Sequence, residues 1–298
     1  MEYVLKTNNL SKRFGSMLSN DNLSITVKKG DIYGFIGKNG AGKTTFMKMV
    51  LGILIPTEGE IKLFNGESLD KARNKIGSLI ESPGIYKNLS AYENLRQFSM
   101  LTKPVSKKEI KEIISLVGLD KVGNKKVGNF SLGMKQRLGI GIALLGNPEF
   151  LILDEPINGL DPTGIREVRD LLLKLNKEKG ITILISSHLL EELSKLVTTY
   201  GIINSGKLIE EISAEELDKK CINKLKICVD NSEKGYRLLK DNISGISCEI
   251  VDDHMIYVFS HMDKSSLINR ILVENHIDVS VFEIESDGLE NYFLERIG

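Results

Sequence analysis

The sequence predicts an α/β fold: a mostly parallel sheet interrupted by a helical insert, followed by a small α+β domain. Three observations carry this prediction. Short apolar runs alternate with helical patterns over the first part of the chain, strand signals vanish between residues 83 and 146, and beyond residue 220 the order becomes strand, helix, two strands, helix, strand. At 298 residues and 41% hydrophobic content the chain exceeds what one core usually organises, roughly 250 residues. Two domains are therefore expected, residues 1–220 with a helical insert at about 83–146, and residues 221–298.

The elements follow in order. DIYGFIG (31–37) reads as a buried strand, and GKNGAGKTT leads from it into the helix FMKMVLGIL. In the insert, Ser90 with Glu93 and Ser106 with Glu109 match the S-x-x-E capping box. NFSLGMKQRLGIGIALL (129–145) sets Ser131 ahead of a buried helix whose unpaired N–H groups can hold an anion. FLILDEP (150–156) and TILISSH (182–188) are strands whose carboxyl ends should share one edge with the Gly37 loop, the edge where open α/β sheets bind ligands. A hairpin, YGIINSGKLIEEI, and a third capping box, Ser213 with Glu216, close the first domain. The tail then reads LKICV, EKGYRLLKDN, ISCEIV, MIYVFS, KSSLINRILVEN and VSVFEI, a ferredoxin-like βαββαβ order, with GLENYFLERIG as an amphipathic cap.

Composition excludes several classes. Basic and acidic residues balance at 40 each, so no general field draws the chain to nucleic acid. The start, MEYVLKTNN, lacks a signal-peptide pattern, and runs such as LGIGIALLG are too short to cross a bilayer. The chain is thus expected in the cytosol unless a partner tethers it. Cys221, Cys228 and Cys248 lack metal-type spacing and are assigned no chemistry.

Residues 37–44 (Gly37, Lys38, Asn39, Gly40, Ala41, Gly42, Lys43, Thr44) satisfy G-x-x-x-x-G-K-[ST] between a strand and a helix, the context that motif requires. Its glycines let backbone wrap a phosphate chain, Lys43 supplies a point charge, and the Thr44 hydroxyl can ligate Mg²⁺. Asp154 and Glu155 end the strand FLIL beside it. If the strand persists, their side chains face opposite ways, so Asp154 can hold the metal's water shell while Glu155 polarises the attacking water. His188 ends the next strand on the same edge and can bond the γ-phosphate or orient Glu155.

Taken together, GKNGAGKTT, FSLGMKQR, FLILDEP, NGLDP and SSH resemble, in this order, an ATP-binding cassette ATPase over residues 1 to about 215. The resemblance implies ATP and Mg²⁺ as cofactors, with Thr45 completing the nucleotide-binding loop. It also implies a homodimer packed head to tail, in which Ser131 and Gly133 contact the γ-phosphate in trans and Asp161 couples the two sites. Phe14, in SKRFG, matches the aromatic that stacks on adenine; by itself it would be read as core. Two departures stand out. FSLGM replaces the usual LSGGQ, and Glu81 occupies the position of a glutamine that touches the metal and the membrane partner. With ESPGIYKNLSAYENL and the appended domain, Glu81 makes the chain resemble the subgroup serving bacitracin and lantibiotic self-protection exporters. That resemblance implies an integral membrane permease as partner, peripheral attachment at the cytoplasmic face of the membrane, and no nucleic acid. The competing reading is a soluble, non-transport cassette ATPase acting on ribosomes or DNA; such relatives usually carry two cassettes or a long coiled-coil insertion, and this chain has one phosphate loop and no long heptad run. A purely regulatory nucleotide-binding module is disfavoured by the joint presence of Glu155 and His188.

Overall fold

The computed structural model describes residues 2–101, 104–221, 223–286 and 289–297. The chain forms two compact units, one ending at Ala214 and the other beginning at Glu215. The change in sequence character near residue 220 thus lies one helix beyond the division, because Ala214–Lys220 is itself helical and goes with the second unit from Glu215 onward.

The first unit opens with β1 (Tyr3–Phe14), β2 (Met17–Leu23), β3 (Thr26–Lys28) and β4 (Ile32–Ile36), then α1 (Lys43–Val50), β5 (Glu58–Leu63), α2 (Leu69–Arg73) and β6 (Ile76–Leu79). The insert supplies α3 (Ala91–Leu101), α4 (Lys107–Leu116) and α5 (Leu132–Ala143). The chain returns through β7 (Phe150–Asp154), α6 (Pro162–Lys179), β8 (Thr182–Ser187), α7 (Leu190–Ser194), β9 (Thr199–Asn204) and β10 (Lys207–Ser213).

Two sheets result. In the smaller one, β1 pairs antiparallel with β2, β3 and β5. The larger has the order β10-β9-β4-β8-β7-β6, with every pairing parallel except that of β10 with β9. Strands β4, β7 and β8 are buried along their whole length. They read as continuous apolar runs because a parallel sheet is covered on both faces. Leu5, Leu10, Leu23, Phe35, Phe46 and Phe150 join both sheets and α1 in one core. Parallel register pairs Ile36 with Ser187 and Asp154 with Ser186, which brings three strand ends to one edge.

The insert helices start where local chemistry directs. Ser90 and Glu93 exchange both capping-box bonds ahead of α3, and Ser106 and Glu109 do the same at α4. Helix α6 begins with Pro162 after its N-cap Asp161 and stops at Gly180, which takes the left-handed cap conformation.

The second unit contains α8 (Ala214–Lys220) from Glu215 on, then β11 (Asn223–Val229), α9 (Ser232–Asn242), β12 (Cys248–Asp252), β13 (Met255–Val258), α10 (Ser265–Glu274), β14 (Val279–Ser286) and α11 (Leu289–Ile297). Its sheet has the order β12-β13-β11-β14, all neighbours antiparallel. Alternation along β11 turns Leu225, Ile227 and Val229 into a core with Leu239 and Leu272 from the helices. The intervening Lys224 and Lys226 face Glu285 and Glu283 on β14 at 3.9 and 3.5 Å. The three cysteines are free thiols, none fully buried. Of GLENYFLERIG, Gly288 and Gly298 lie outside the described residues.

Candidate active site

The phosphate loop leaves β4 at Ile36 and turns into α1 at Gly42. Gly40 and Gly42 have φ of 83° and 104°, a region that side chains rarely enter. Space is short as well: a Cβ on Gly42 would lie 2.5 Å from the Ser19 carbonyl oxygen and 2.6 Å from Asn20 Nδ2. Those neighbours hold the loop from beneath. Buried Asn20 donates from Nδ2 to the Gly42 carbonyl at 3.1 Å, and the Ser19 hydroxyl donates to the Thr45 hydroxyl at 3.1 Å. Sequence reasoning missed both residues; nothing local in SMLSND announces the contact, which exists only once β2 lies against α1.

Residues Lys38, Asn39 and Gly40 form the exposed tip of the loop, whereas Gly37 and Ala41 are buried and Thr44 and Thr45 half-buried. Lys43, only 6% exposed, reaches back under the loop. Its ammonium donates to the carbonyls of Gly37 at 2.6 Å and Lys38 at 3.2 Å, and stands 3.3 Å from Glu155 Oε1. The last is an ion contact without hydrogen-bond geometry, since Oε1 accepts no hydrogen bond and is sequestered from solvent.

Around the strand ends the two acidic side chains take different partners, by a route other than strand alternation. The strand stops at Asp154, and Glu155 adopts φ of 49°, so the backbone turns instead of continuing to the opposite face. Asp154, 3% exposed, accepts from the Thr44 hydroxyl at Oδ2 (2.7 Å) and from the Ser186 hydroxyl at Oδ1 (2.5 Å). The Glu155 N–H donates to Ser186 Oγ at 2.9 Å. Its carboxylate Oε2 meets His188 Nδ1 at 2.9 Å. A carboxylate is an acceptor only, so Nδ1 carries the proton in this contact and Nε2 is left to face a further partner. Lys43, Thr44, Asp154, Glu155 and His188, all named from the sequence, therefore form one hydrogen-bonded and ion-paired cluster. Ser186 belongs to it too, near the end of β8 and opposite Asp154 in the parallel register; sequence reasoning missed it.

The other named residues stand outside that cluster among the described residues. Ser131 is the N-cap of α5, its hydroxyl accepting the Met134 N–H at 3.2 Å, and Asp161 is the N-cap of α6, accepting the Gly164 N–H at 3.1 Å. Gly133 brings the two helix starts together: a Cβ there would lie 3.5 Å from Gly164 Cα. Leu132, in the departure from the usual signature, is exposed. Phe14 ends β1 with 46% of its surface open, so it is not core, and Lys12 Nζ sits 5.1 Å from its ring centroid. Glu81 has φ of 62° and pairs with Lys48 Nζ at 2.6 Å.

The chain that carries this geometry resembles known proteins. A family model described as ABC transporter matches residues 20–158. Over 302 aligned residues, 46% are identical to the bacitracin transport ATP-binding protein BcrA of Bacillus licheniformis, an alignment that covers 100% of this chain and 98% of that protein. The chain belongs to the ATP-binding proteins of ABC transporters. As an ABC ATPase it binds nucleotide and is the ATP-hydrolysing subunit of a transporter. It is also 45% identical to the lantibiotic transport ATP-binding protein SrtF of Streptococcus pyogenes, over 70% of this chain and 90% of that one. Among solved structures, it resembles a dimeric ATP-binding cassette in a post-hydrolysis state, bound to ADP and Pi, with a TM-score of 0.62 and 25% identity over 70% of this chain and 98% of that one. The ABC ATPase fold accounts for the first unit. No helix among the described residues is long and apolar enough to cross a membrane.

Proposed function

We propose that this ABC ATPase energises export of peptide antibiotics of the bacitracin and lantibiotic type, as a homodimer docked on a separate membrane permease at the cytoplasmic face of the membrane. The observation that carries the catalytic part is the position of Glu155, held between Lys43 and His188 beside the phosphate loop. The export part rests on full-length similarity to a bacitracin transporter subunit and on the lantibiotic relative. A non-transport role on ribosomes or DNA has no observation in its favour.

In this reading ATP lies with its base on Phe14 and its phosphates along residues 37–45. Glu155 takes a proton from water as the water oxygen bonds the γ-phosphorus, the bond to the β-phosphate oxygen breaks, and ADP leaves. His188 donates from Nδ1 to the Glu155 carboxylate and so orients it toward the attacking water. Ser131, Gly133 and Asp161 serve the nucleotide of the second copy. Two helix starts so close together present a concentrated set of N–H groups to an anion.

The donor set also suits magnesium. Among the described residues no group of three or more acidic, histidine or cysteine side chains could cage an ion, and Mg²⁺ characteristically takes one or two carboxylates plus phosphates and water. Thr44 and Asp154, already in contact, and Glu81 are the oxygens we assign to it. When bound, the ion would neutralise charge developing on the β- and γ-oxygens.

For the second unit, residues 215–296, we read a ferredoxin-like domain; the order β12-β13-β11-β14 with helices after the first and third strands supports this. We place the functional domain division at residues 214 and 215.

The test is Glu155→Gln. Hydrolysis by the permease complex should fall by about 10²-fold or more while nucleotide stays bound. Near-normal phosphate release would remove Glu155 from its role. Stimulation of the wild-type complex by bacitracin or a lantibiotic, measured in the same assay, tests the substrate class.

A further inference from the structure

Ser186 lies opposite Asp154 in the parallel pairing of β7 with β8 and is 0% exposed. Its hydroxyl makes two bonds of different sense: it donates to Asp154 Oδ1 at 2.5 Å and accepts the N–H of Glu155 at 2.9 Å. A hydroxyl has one proton and two lone pairs, so the bonds are compatible and run in one direction, from amide through hydroxyl to carboxylate. Each end needs the support. Asp154 is buried and gives its other oxygen to Thr44. Glu155 holds φ of 49°, a left-handed conformation that a glutamate keeps only where its surroundings enforce it. The neighbouring serine takes no part in this, because Ser187 accepts the Leu189 N–H and so caps the turn beyond the strand.

We propose that Ser186 is the positioning residue that ties the metal-side carboxylate, Asp154, to the placement of the water-activating carboxylate, Glu155. The proposal rests on the reading of Glu155 given under the proposed function. Orientation of Asp154 through Oδ1 leaves Oδ2 and Thr44 facing the phosphate side, and the same hydroxyl fixes the peptide from which the Glu155 side chain departs toward Lys43 and His188. A shift of Asp154 is thereby transmitted to Glu155 through a single oxygen, without passing through the nucleotide.

The experiment compares Ser186→Ala, Ser186→Cys and Ser186→Thr in the permease complex. Three quantities are read: the Mg²⁺ concentration that half-saturates binding of a fluorescent non-hydrolysable ATP analogue, kcat with KM for ATP, and analogue affinity in EDTA. Loss of a residue that orients a ligating carboxylate typically costs 10- to 100-fold in metal affinity or activity. For Ser186→Ala we therefore expect half-saturating Mg²⁺ to rise, and kcat to fall, by about 10-fold or more, with affinity in EDTA unchanged because the phosphate loop is untouched. Ser186→Thr, which keeps the hydroxyl, should return both readouts toward wild type. Ser186→Cys keeps the volume but bonds weakly, and it decides the matter if the alanine variant does not fold. Wild-type Mg²⁺ dependence and kcat in the alanine or cysteine variant overturn the proposal, and so does a fall in EDTA affinity parallel to the other losses, which marks a purely structural role. Glu155→Gln is run alongside. Normal hydrolysis there sinks the reading of Glu155 itself, whereas an inactive Glu155→Gln with a normal Ser186→Ala sinks the positioning role alone.

Discussion

Replacing Lys43 by methionine keeps most of the stem volume and removes the charge. In the structure the ammonium already has two carbonyl acceptors and the Glu155 carboxylate, so phosphate oxygens must replace existing contacts rather than meet a bare cation. A hydrogen bond to a charged group contributes about 1.5–3 kcal/mol net. If the exchange gains the equivalent of one such bond, the variant should bind ATP roughly 10- to 100-fold more weakly. A second effect adds to this. At 3.3 Å the attraction between Lys43 and Glu155 is about 5 kcal/mol at an effective dielectric of 20, and its removal leaves a mostly buried carboxylate facing the triphosphate. Neutralising that carboxylate should then recover part of the loss, so Lys43→Met with Glu155→Gln should bind ATP more tightly than Lys43→Met alone. Titration with a fluorescent ATP analogue, with and without Mg²⁺, measures every corner of the cycle. Wild-type affinity in Lys43→Met, or strictly additive losses in the double variant, would refute the reasoning.

Gly42→Ala combines a φ of 104° with a methyl 2.5 Å from the Ser19 carbonyl; the loop must shift, and analogue binding should fall even where thermal melting shows a folded protein. Ser106→Ala removes one half of the α4 capping box, which should lower stability by about 1 kcal/mol, or Tm by about 2–4 °C in a two-state melt of a domain this size, with ATP affinity unchanged. Tyr33 is buried with its hydroxyl 2.7 Å from Glu211, and burial pushes its phenol well above the ordinary value. A raised folded-state pKa means the stabilisation is complete below the unfolded phenol value of about 10 and is lost as pH rises beyond it. Denaturant melts at alkaline pH should show that decline in the wild type and its absence in Tyr33→Phe.

Most of the site was legible because its residues are local in sequence. The phosphate loop, the acidic pair and His188 each follow an apolar strand, and parallel register carries strand ends to a common edge. The capping boxes of α3 and α4 were readable for the same reason, since both partners lie within one turn. Other features depend on residues far apart in the chain. Ser19 and Asn20 brace a loop more than a strand away. The left-handed backbone at Glu155 defeats an argument from strand alternation, because its support comes from β8. Glu81, read as a metal-side residue, is paired with Lys48 on α1, a contact that no spacing rule announces.

What the sequence determined by itself was the set of chemical groups and the edge on which they gather, because motif spacing and strand periodicity act over a few residues at a time. What only the tertiary structure decided was the state of those groups: Lys43 satisfied beneath its own loop, Asp154 shared between Thr44 and Ser186, and Glu155 turned toward His188. Hydrogen bonds and ion contacts depend on separation in space to within a few tenths of an ångström, and for these pairs that separation arises only when helices and strands distant in the chain pack together.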